Sequence, residues 1–207
     1  MEVKIDRQYR RGAREGDVTH VVTLSRTYQQ GSEAVWAAFV NAERLGRWFL
    51  PVTGDLRPGG RFKFEGNAGG EVLACERPRH IAVTWEMMGG VSWVDLTFRS
   101  EGSGTRVTLR HIALTADMPA AMWDQFGPGA VGSGWEGGFM GLEISLNAPD
   151  ALCDPALANW HATPEGRAFF TESAKAWADA AIAGGEDPQK MQATVPNLIA
   201  FYTGSPA

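Results

Sequence analysis

The stretch VSWVDLTFRSEGSGTRVTLRHIA, residues 91–113, decides the fold. In both of its halves apolar residues alternate with polar ones, the period of two that is typical of a half-buried strand. The residues SEGSG at 100–104 suit a hairpin loop between them. We therefore expect antiparallel strands over 91–99 and 105–113. Their shared apolar face must be covered by another element; it carries Val94, Leu96, Phe98, Val107, Leu109 and His111.

The covering element is predicted to be a helix at 134–147. Its apolar stripe carries Trp135, Phe139, Leu142 and Leu146. The preceding segment, FGPGAVGSGW at 126–135, is rich in glycine, which predicts a hinged loop over one mouth of the interior or a plain connector. Residues 127–132 fit the pattern G-x-G-x-x-G, but no hydrophobic strand precedes them and the sheet is antiparallel. Dinucleotide binding is therefore not expected.

Residues outside this segment show similar patterns, which predict further strands and a short helix. Residues 18–28 alternate and are rich in β-branched side chains, which indicates a strand. A short helix is predicted from an N-cap at Ser32 to about Arg47. Further strands are expected at 53–56, 61–65, 71–76 and 80–88. Their connections are too short for parallel pairing. The order predicts an α+β fold, a curved antiparallel sheet around a long helix.

Three regions follow from these elements. Residues 1–17 are predicted to be a loose polar lead-in, 18–148 the folded domain, and 149–207 a helical extension packed on that domain. In the extension, Thr163 and Asp187 each precede a proline, the arrangement of a helix N-cap. The extension could instead mediate a homodimer.

Composition limits the partners. The 207 residues carry a formal net charge of −5 without a basic stripe, so nucleic acid is not expected. No apolar run is long enough to span a bilayer, so no membrane partner is expected. Cys75 and Cys153 are too few for a disulfide framework, which favours a reducing cytoplasm. The four histidines are dispersed and lack zinc-site spacing, so neither a metal nor a cofactor is predicted.

Aromatic residues exceed what a small core needs. A buried aromatic ring can simply fill a core, or it can line a pocket for an apolar ligand. The residues predicted to line such a pocket are Trp48, Phe49, Phe62, Phe64, Trp85, Trp93, Phe98, Leu109, His111, Trp135 and Phe139.

Few polar residues are candidates for contacting a ligand in this pocket. A neutral His111 could orient a ligand or, in an enzyme, transfer a proton, but a structural histidine bonded to a loop carbonyl is favoured. Arg26 and Tyr28 would contact a polar ligand group if their strand face points inward. Glu136 lies near the predicted helix start, where the helix dipole explains its charge.

Five segments in a fixed order carry a family resemblance: VWAAFVNAERLGRWFLP (35–51), GDLRPGGRFKFEG (54–66), RPRHIAVTW (77–85), GTRVTLRH (104–111) and GWEGGFMGLEISL (134–146). Together they resemble the START-like (SRPBCC) superfamily over roughly residues 18–148. More narrowly, they look like bacterial proteins related to activators of the ninety-kilodalton heat-shock chaperone ATPase and often labelled polyketide-cyclase-like. The resemblance implies a helix-grip fold, in which a curved sheet grips the last helix of the domain around a cavity.

Relatives of this kind include lipid carriers, hormone sensors, cyclases and chaperone cofactors, so the fold does not fix the function. The favoured hypothesis is non-enzymatic binding of a hydrophobic or aromatic small molecule, in a carrier, sensor or sequestering protein, because no acid–base pair is visible. The second is a cyclase or dehydratase that uses the same cavity and His111. The third is a chaperone-associated interaction protein that docks through the C-terminal helices.

Overall fold

The computed structural model describes residues 5–153 and 155–204; residues 1–4, 154 and 205–207 of the predicted lead-in and extension lie outside the described residues. The strands are β1 (Asp6–Arg14), β2 (Asp17–Tyr28), β3 (Val52–Gly54), β4 (Arg61–Phe64), β5 (Gly69–Glu76), β6 (His80–Met87), β7 (Gly90–Glu101) and β8 (Gly104–Leu114). The α-helices are α1 (Ser32–Val40), α2 (Ala42–Trp48), α3 (Ala120–Phe126), α4 (Gly129–Asn147), α5 (Pro164–Ala183) and α6 (Pro188–Thr203).

The predicted helix-grip fold is confirmed. One antiparallel sheet runs in the order β1-β2-β8-β7-β6-β5-β4-β3, and α4 packs on its inner face. The register aligns apolar residues across that face, because Leu24 pairs with Leu109, Leu109 with Leu96, and Leu96 with Ile81. All four side chains are buried. Alternation along the strands therefore produces the core that α4 covers.

The prediction of a loose lead-in is wrong for residues 6–14, which form the edge strand β1. Glu15 and Gly16 both have positive φ, 54° and 96°, the geometry of a two-residue turn that joins tightly paired strands. The hairpin pairs Tyr9 with Val22 on the inner face, where the Tyr9 ring is only 2% exposed. Tyr9 is the one large apolar side chain among the charged residues of β1, so the sequence shows no clear alternation that would predict a strand.

The single helix predicted from Ser32 to Arg47 is in fact two. The N-cap of α1 is Gly31 and makes no side-chain capping bond, so Ser32 is not the cap. Asn41 is extended and separates the helices; its side-chain oxygen accepts a hydrogen bond from the backbone N–H of Arg44 at 2.9 Å. The helical spacing of apolar residues continues across Asn41, so it does not indicate the break, which is made by the capping side chain of Asn41.

The glycine-rich segment is not a hinged loop, because most of it is the first half of α4. A Cβ on Gly132 would lie 2.1 Å from Cε2 of Trp177, and one on Gly129 would lie 2.4 Å from Cδ1 of Leu198. Glycine is required here for close packing of α5 and α6 against α4.

The C-terminal helices lie on α4 and on β1. Thr163 caps α5 by accepting from the N–H of Gly166 at 3.1 Å, and Asp187 caps α6 by accepting from the N–H of Lys190 at 2.8 Å. Trp177 of α5 is completely buried. None of the described helices is long and apolar enough to cross a membrane.

Candidate ligand-binding cavity

A cavity of about 90 Å³ lies between the inner face of the sheet and helices α2 and α4. Among the described residues that line it, the thiol of Cys75 is the only ionisable group, and burial raises its pKa. The lining residues are Phe39, Val40, Leu45, Trp48, Phe49, Leu56, Phe62, Phe64, Val72, Cys75, Ile81, Val83, Trp85, Val94, Leu96, Leu109, Trp135 and Phe139.

Most of the aromatic residues predicted for the pocket come together here: Trp48, Phe49, Phe62, Phe64, Trp85, Trp135 and Phe139, with Leu109, all line the cavity. The sequence argument missed the aliphatic part of the wall, which includes Val72, Ile81 and Val83 on β5 and β6. Alternation along those two strands was the available signal, but the prediction for them named aromatic residues only.

Three predicted residues do not line the cavity. Trp93 lies on the outer face, because alternation along β7 turns its neighbour Val94 inward; the Arg14 guanidinium sits 4.1 Å from the Trp93 ring centre. Phe98 is buried but packs edge-on against rings of α1, Trp36 and Phe39. His111 is the third, and it lies behind the aromatic wall.

His111 belongs to a chain of hydrogen bonds that holds two tryptophans in place. The indole N–H of Trp135 donates to Nδ1 of His111 at 3.0 Å, so the neutral ring carries its proton on Nε2. That nitrogen lies 2.8 Å from Oγ of Ser92 and donates to it, and the Ser92 hydroxyl donates to the carbonyl of Trp85 at 3.1 Å. Both ring nitrogens are therefore engaged, and the chain ends on backbone.

Burial lowers the pKa of His111 to about 4. A proton added to Nδ1 would face the indole N–H of Trp135, two donors without an acceptor. The imidazole is thus held neutral, in a tautomer fixed by its partners. Its partners are side chains of α4 and β7 rather than the loop carbonyl expected from the sequence.

Two polar residues of β2 on the inner face bind α4. Arg26 and Tyr28 do point inward, but the Arg26 guanidinium pairs with Glu143 at 3.0 Å and the Tyr28 hydroxyl donates to the carbonyl of Phe139 at 3.1 Å. Burial raises the pKa of Tyr28. Both groups bind the helix, and neither lines the cavity.

Glu136 has a different role from the one the sequence suggested. It lies in the middle of α4, away from the helix start, and its side chain is completely buried. The Arg7 guanidinium donates to both carboxylate oxygens, at 2.6 and 2.7 Å. A two-bond ion pair with β1 accounts for this carboxylate, and the missed strand explains why its partner was not foreseen.

A second polar cluster, unseen in the sequence, joins β1 to the turn between α5 and α6. The Tyr9 hydroxyl donates to Glu186 at 2.7 Å and lies 2.7 Å from Nδ1 of His20, while Arg11 donates to Glu186 at 2.8 Å. Trp123 of α3 stacks on His20 with the ring centres 3.8 Å apart. Burial, then the Arg11 charge, lowers the pKa of His20. This cluster holds the C-terminal helices on the sheet.

Around the cavity the aromatic rings form a continuous wall. Phe49 stacks on Trp135 with the ring centres 5.6 Å apart and the planes 11° from parallel. Phe64 meets Phe49 edge-on at 5.1 Å, and Trp85 packs on Trp135 at 5.0 Å. The result is an apolar chamber with flat ring faces.

Comparison with known proteins agrees with the helix-grip fold. The family model of Activator of Hsp90 ATPase homolog 1-like protein matches residues 31–146, more than half of the chain. The crystal structure of CalU16 from Micromonospora echinospora is 28% identical, covers 86% of this chain and 98% of its own, and has a TM-score of 0.67. The solution structure of CalU16 is 29% identical, covers 89% and 99%, and has a TM-score of 0.70.

A more distant structure shares the fold alone: MLL2253 from Mesorhizobium loti is 23% identical, covers 61% of this chain and 96% of its own, and has a TM-score of 0.54. No curated protein matches the chain.

Proposed function

The chain belongs to the family of Activator of Hsp90 ATPase homolog 1-like proteins, and on this premise we propose that it binds an uncharged apolar or aromatic small molecule in the cavity under the sheet. The role is that of a carrier, sensor or sequestering protein. The observation that supports the proposal is the lining itself, which combines flat aromatic faces with aliphatic side chains and has no charged side chain among the residues that the structure describes.

The lining selects against charged ligands. Moving an ionised carboxylate or ammonium group into an apolar site without a partner costs far more free energy than the burial of a few methylene groups contributes. The charged residues between α4 and the first two strands form two ion pairs, Arg26 with Glu143 and Arg7 with Glu136. A ligand of this cavity is therefore held by shape and apolar contact.

The hypothesis of a cyclase or dehydratase loses its main support. That mechanism needs His111 at the cavity, within reach of a second titratable group. His111 instead bonds to Ser92 and Trp135, behind the wall that Trp135 forms. The imidazole of His111, on which the enzyme hypothesis depends, is hydrogen-bonded on both nitrogens and positions aromatic rings.

The hypothesis of a chaperone-associated protein calls for an exposed apolar patch. Of the large exposed apolar side chains on the described surface, Val18, Leu73, Met122 and Phe201 lie on four different elements. Met87, Met88 and Val91 lie together at the β6–β7 turn, but nothing on the described surface indicates what would cover so small a group. Small-molecule binding is the better supported function.

Fluorescence of the neutral probe N-phenyl-1-naphthylamine tests the proposal. Val83 lines the cavity, so Val83→Phe fills it, whereas Val18→Phe adds the same atoms at a site that is 52% exposed on β2. We expect saturable 1:1 binding to the native protein and to Val18→Phe, and at least tenfold weaker binding to Val83→Phe. Equal binding to the two variants would place the probe outside the cavity and reject the function.

A further inference from the structure

We propose that Phe49 is a plug: its ring occupies the ligand's own aromatic subsite on Trp135, and a flat, uncharged aromatic group replaces it on binding. This inference rests on the function proposed above and adds a ligand class and a residue that controls access.

The size of the cavity requires some part of the wall to move. The volume is about 90 Å³. A cavity of about 150 Å³ accepts benzene, and pockets for larger ligands span roughly 300–1,000 Å³. As the rings now stand, the chamber is smaller than the compounds its lining suits, so at least one lining side chain leaves when such a ligand enters.

Hydrogen bonds decide which part stays fixed. Trp135 is held by its bond to His111, and the backbone of Trp85 is held by the Ser92 hydroxyl. Trp48, beside Phe49, is anchored through its indole N–H to the carbonyl of Ala38 at 2.9 Å. The Phe49 side chain has no polar atom, so ring contacts alone hold it.

The position of Phe49 in the chain also favours movement. It is the C-cap residue of α2, with φ −121° and ψ −92°, and is followed by Leu50 and Pro51 outside any helix. Its ring is partly exposed, unlike the buried wall residues Phe62 and Phe64. A side chain at the end of a helix and at the edge of the cavity can rotate outward without opening the core.

The residues around the Phe49 ring determine which kind of ligand group can take its place. A flat face is offered by Trp135, whose plane is 11° from that of Phe49. Phe64 lies nearly perpendicular to Phe49, with the planes 86° apart, and Trp85 is tilted by 52° with the ring centres 6.3 Å apart. On the α4 side Gly138 has no side chain; a Cβ there would lie 3.4 Å from the Phe49 ring. This slot matches a planar aromatic or conjugated group in place of a phenyl ring.

The test compares two phenylalanine deletions in the same wall. Phe49→Ala removes the plug, while Phe64→Ala removes the same atoms from a buried ring of the same wall. We expect Phe49→Ala to bind N-phenyl-1-naphthylamine about tenfold more tightly than the native protein, because the ligand no longer displaces ring contacts. Phe64→Ala is expected to bind no more tightly than the native protein. Weaker binding by Phe49→Ala, or equal tightening by both variants, would overturn the plug.

Two further measurements keep the result decisive. Phe49→Leu retains an apolar side chain and is expected to tighten binding in the same direction if Phe49→Ala folds poorly; weaker binding by the leucine variant would reject the plug. Naphthalene should displace the probe from the native protein roughly 2- to 12-fold better than decalin, which has the same number of carbons but no flat ring face. Equal displacement would reject the aromatic subsite. Either failure leaves the Val83→Phe comparison, and hence the proposed function, intact.

Discussion

Lowering the pH should destabilise this protein through His111 well before its carboxylates are protonated. The imidazole is buried in the native state with a pKa of about 4, whereas an unfolded histidine titrates near 6.5. Between these values the unfolded chain binds one more proton at this position than the folded chain. The free energy of unfolding therefore falls as the pH drops from 6.5 towards 4.

The magnitude follows from the two pKa values. Each pH unit across which the proton numbers differ by one changes the free energy of unfolding by about 1.36 kcal/mol. Over the interval from 6.5 to about 4 the loss at this single group is about 3 kcal/mol. That is a large share of the roughly 5–15 kcal/mol that stabilises a typical domain.

The assay is urea unfolding followed by tryptophan fluorescence at pH 7, 6, 5 and 4, in the native protein and in His111→Gln. Glutamine does not titrate, yet its amide can accept from Trp135 and donate to Ser92. The pKa values of His20 and Glu186 are also lowered in the folded state. Both groups therefore also reduce the free energy of unfolding as the pH falls. Both are present in both proteins, so the difference between the two pH profiles isolates His111.

We expect the native protein to lose about 3 kcal/mol more than His111→Gln between pH 7 and pH 4. Parallel profiles would refute the reasoning, since they would mean that His111 titrates alike in the folded and unfolded states. Nuclear magnetic resonance of the imidazole Cε1 proton provides an independent check. A folded-state midpoint near 6.5 would refute it as well.

Two mutational comparisons test the packing of α4 by urea unfolding. Gly132→Ala should cost about 3 kcal/mol, because its Cβ would lie 2.1 Å from Trp177. Gly137→Ala, with no atom within 4 Å of its Cβ, should stabilise by about 0.5–1 kcal/mol, and equal effects would contradict the packing argument. Arg7→Ala should cost about 3 kcal/mol by leaving the Glu136 carboxylate buried and unpaired, whereas replacing both by Met should restore most of that loss. A double variant as unstable as Arg7→Ala would show that the lost stability does not come from the unpaired charge.

Local sequence patterns were enough for most of the sheet. β6, β7 and β8 begin and end within two residues of the expected strands, because period-two alternation and short glycine turns act over a few neighbouring residues. β1 escaped detection because its stability comes from the hairpin with β2 and from partners on distant helices. Its inward residues Arg7, Tyr9 and Arg11 look like surface residues until Glu136 and Glu186 are in place.

The glycines of α4 show a second limit of sequence patterns. Composition cannot distinguish a glycine that confers flexibility from one that allows close approach. Gly129 and Gly132 belong to the second kind only because Leu198 and Trp177, far along the chain, pack onto them. That information lies in the tertiary packing of α5 and α6.

The candidate site was predictable in kind and less so in detail. The face that carries Leu96 and Leu109 was correctly expected to point inward, and the aromatic rings assembled there. Trp93 was placed on the wrong face although its neighbour Val94 was assigned inward, so alternation itself would have excluded it. The tautomer and partners of His111 could not be inferred, since Ser92 and Trp135 reach it from a different strand and from α4.

The division of polar groups within the fold accounts for the chemistry of the cavity. Attachment of the helices to the sheet relies on ion pairs at the β1–β2 edge, where Glu136, Glu143 and Glu186 each meet an arginine. Because those pairs hold α4 and the C-terminal helices, the centre of the sheet needs no charged residue for assembly and can stay apolar. The polar chain through His111 approaches the cavity but ends on the carbonyl of Trp85. A chain that ended in the cavity would supply a proton to a bound molecule; this one fixes the orientation of the rings against which the molecule would stack.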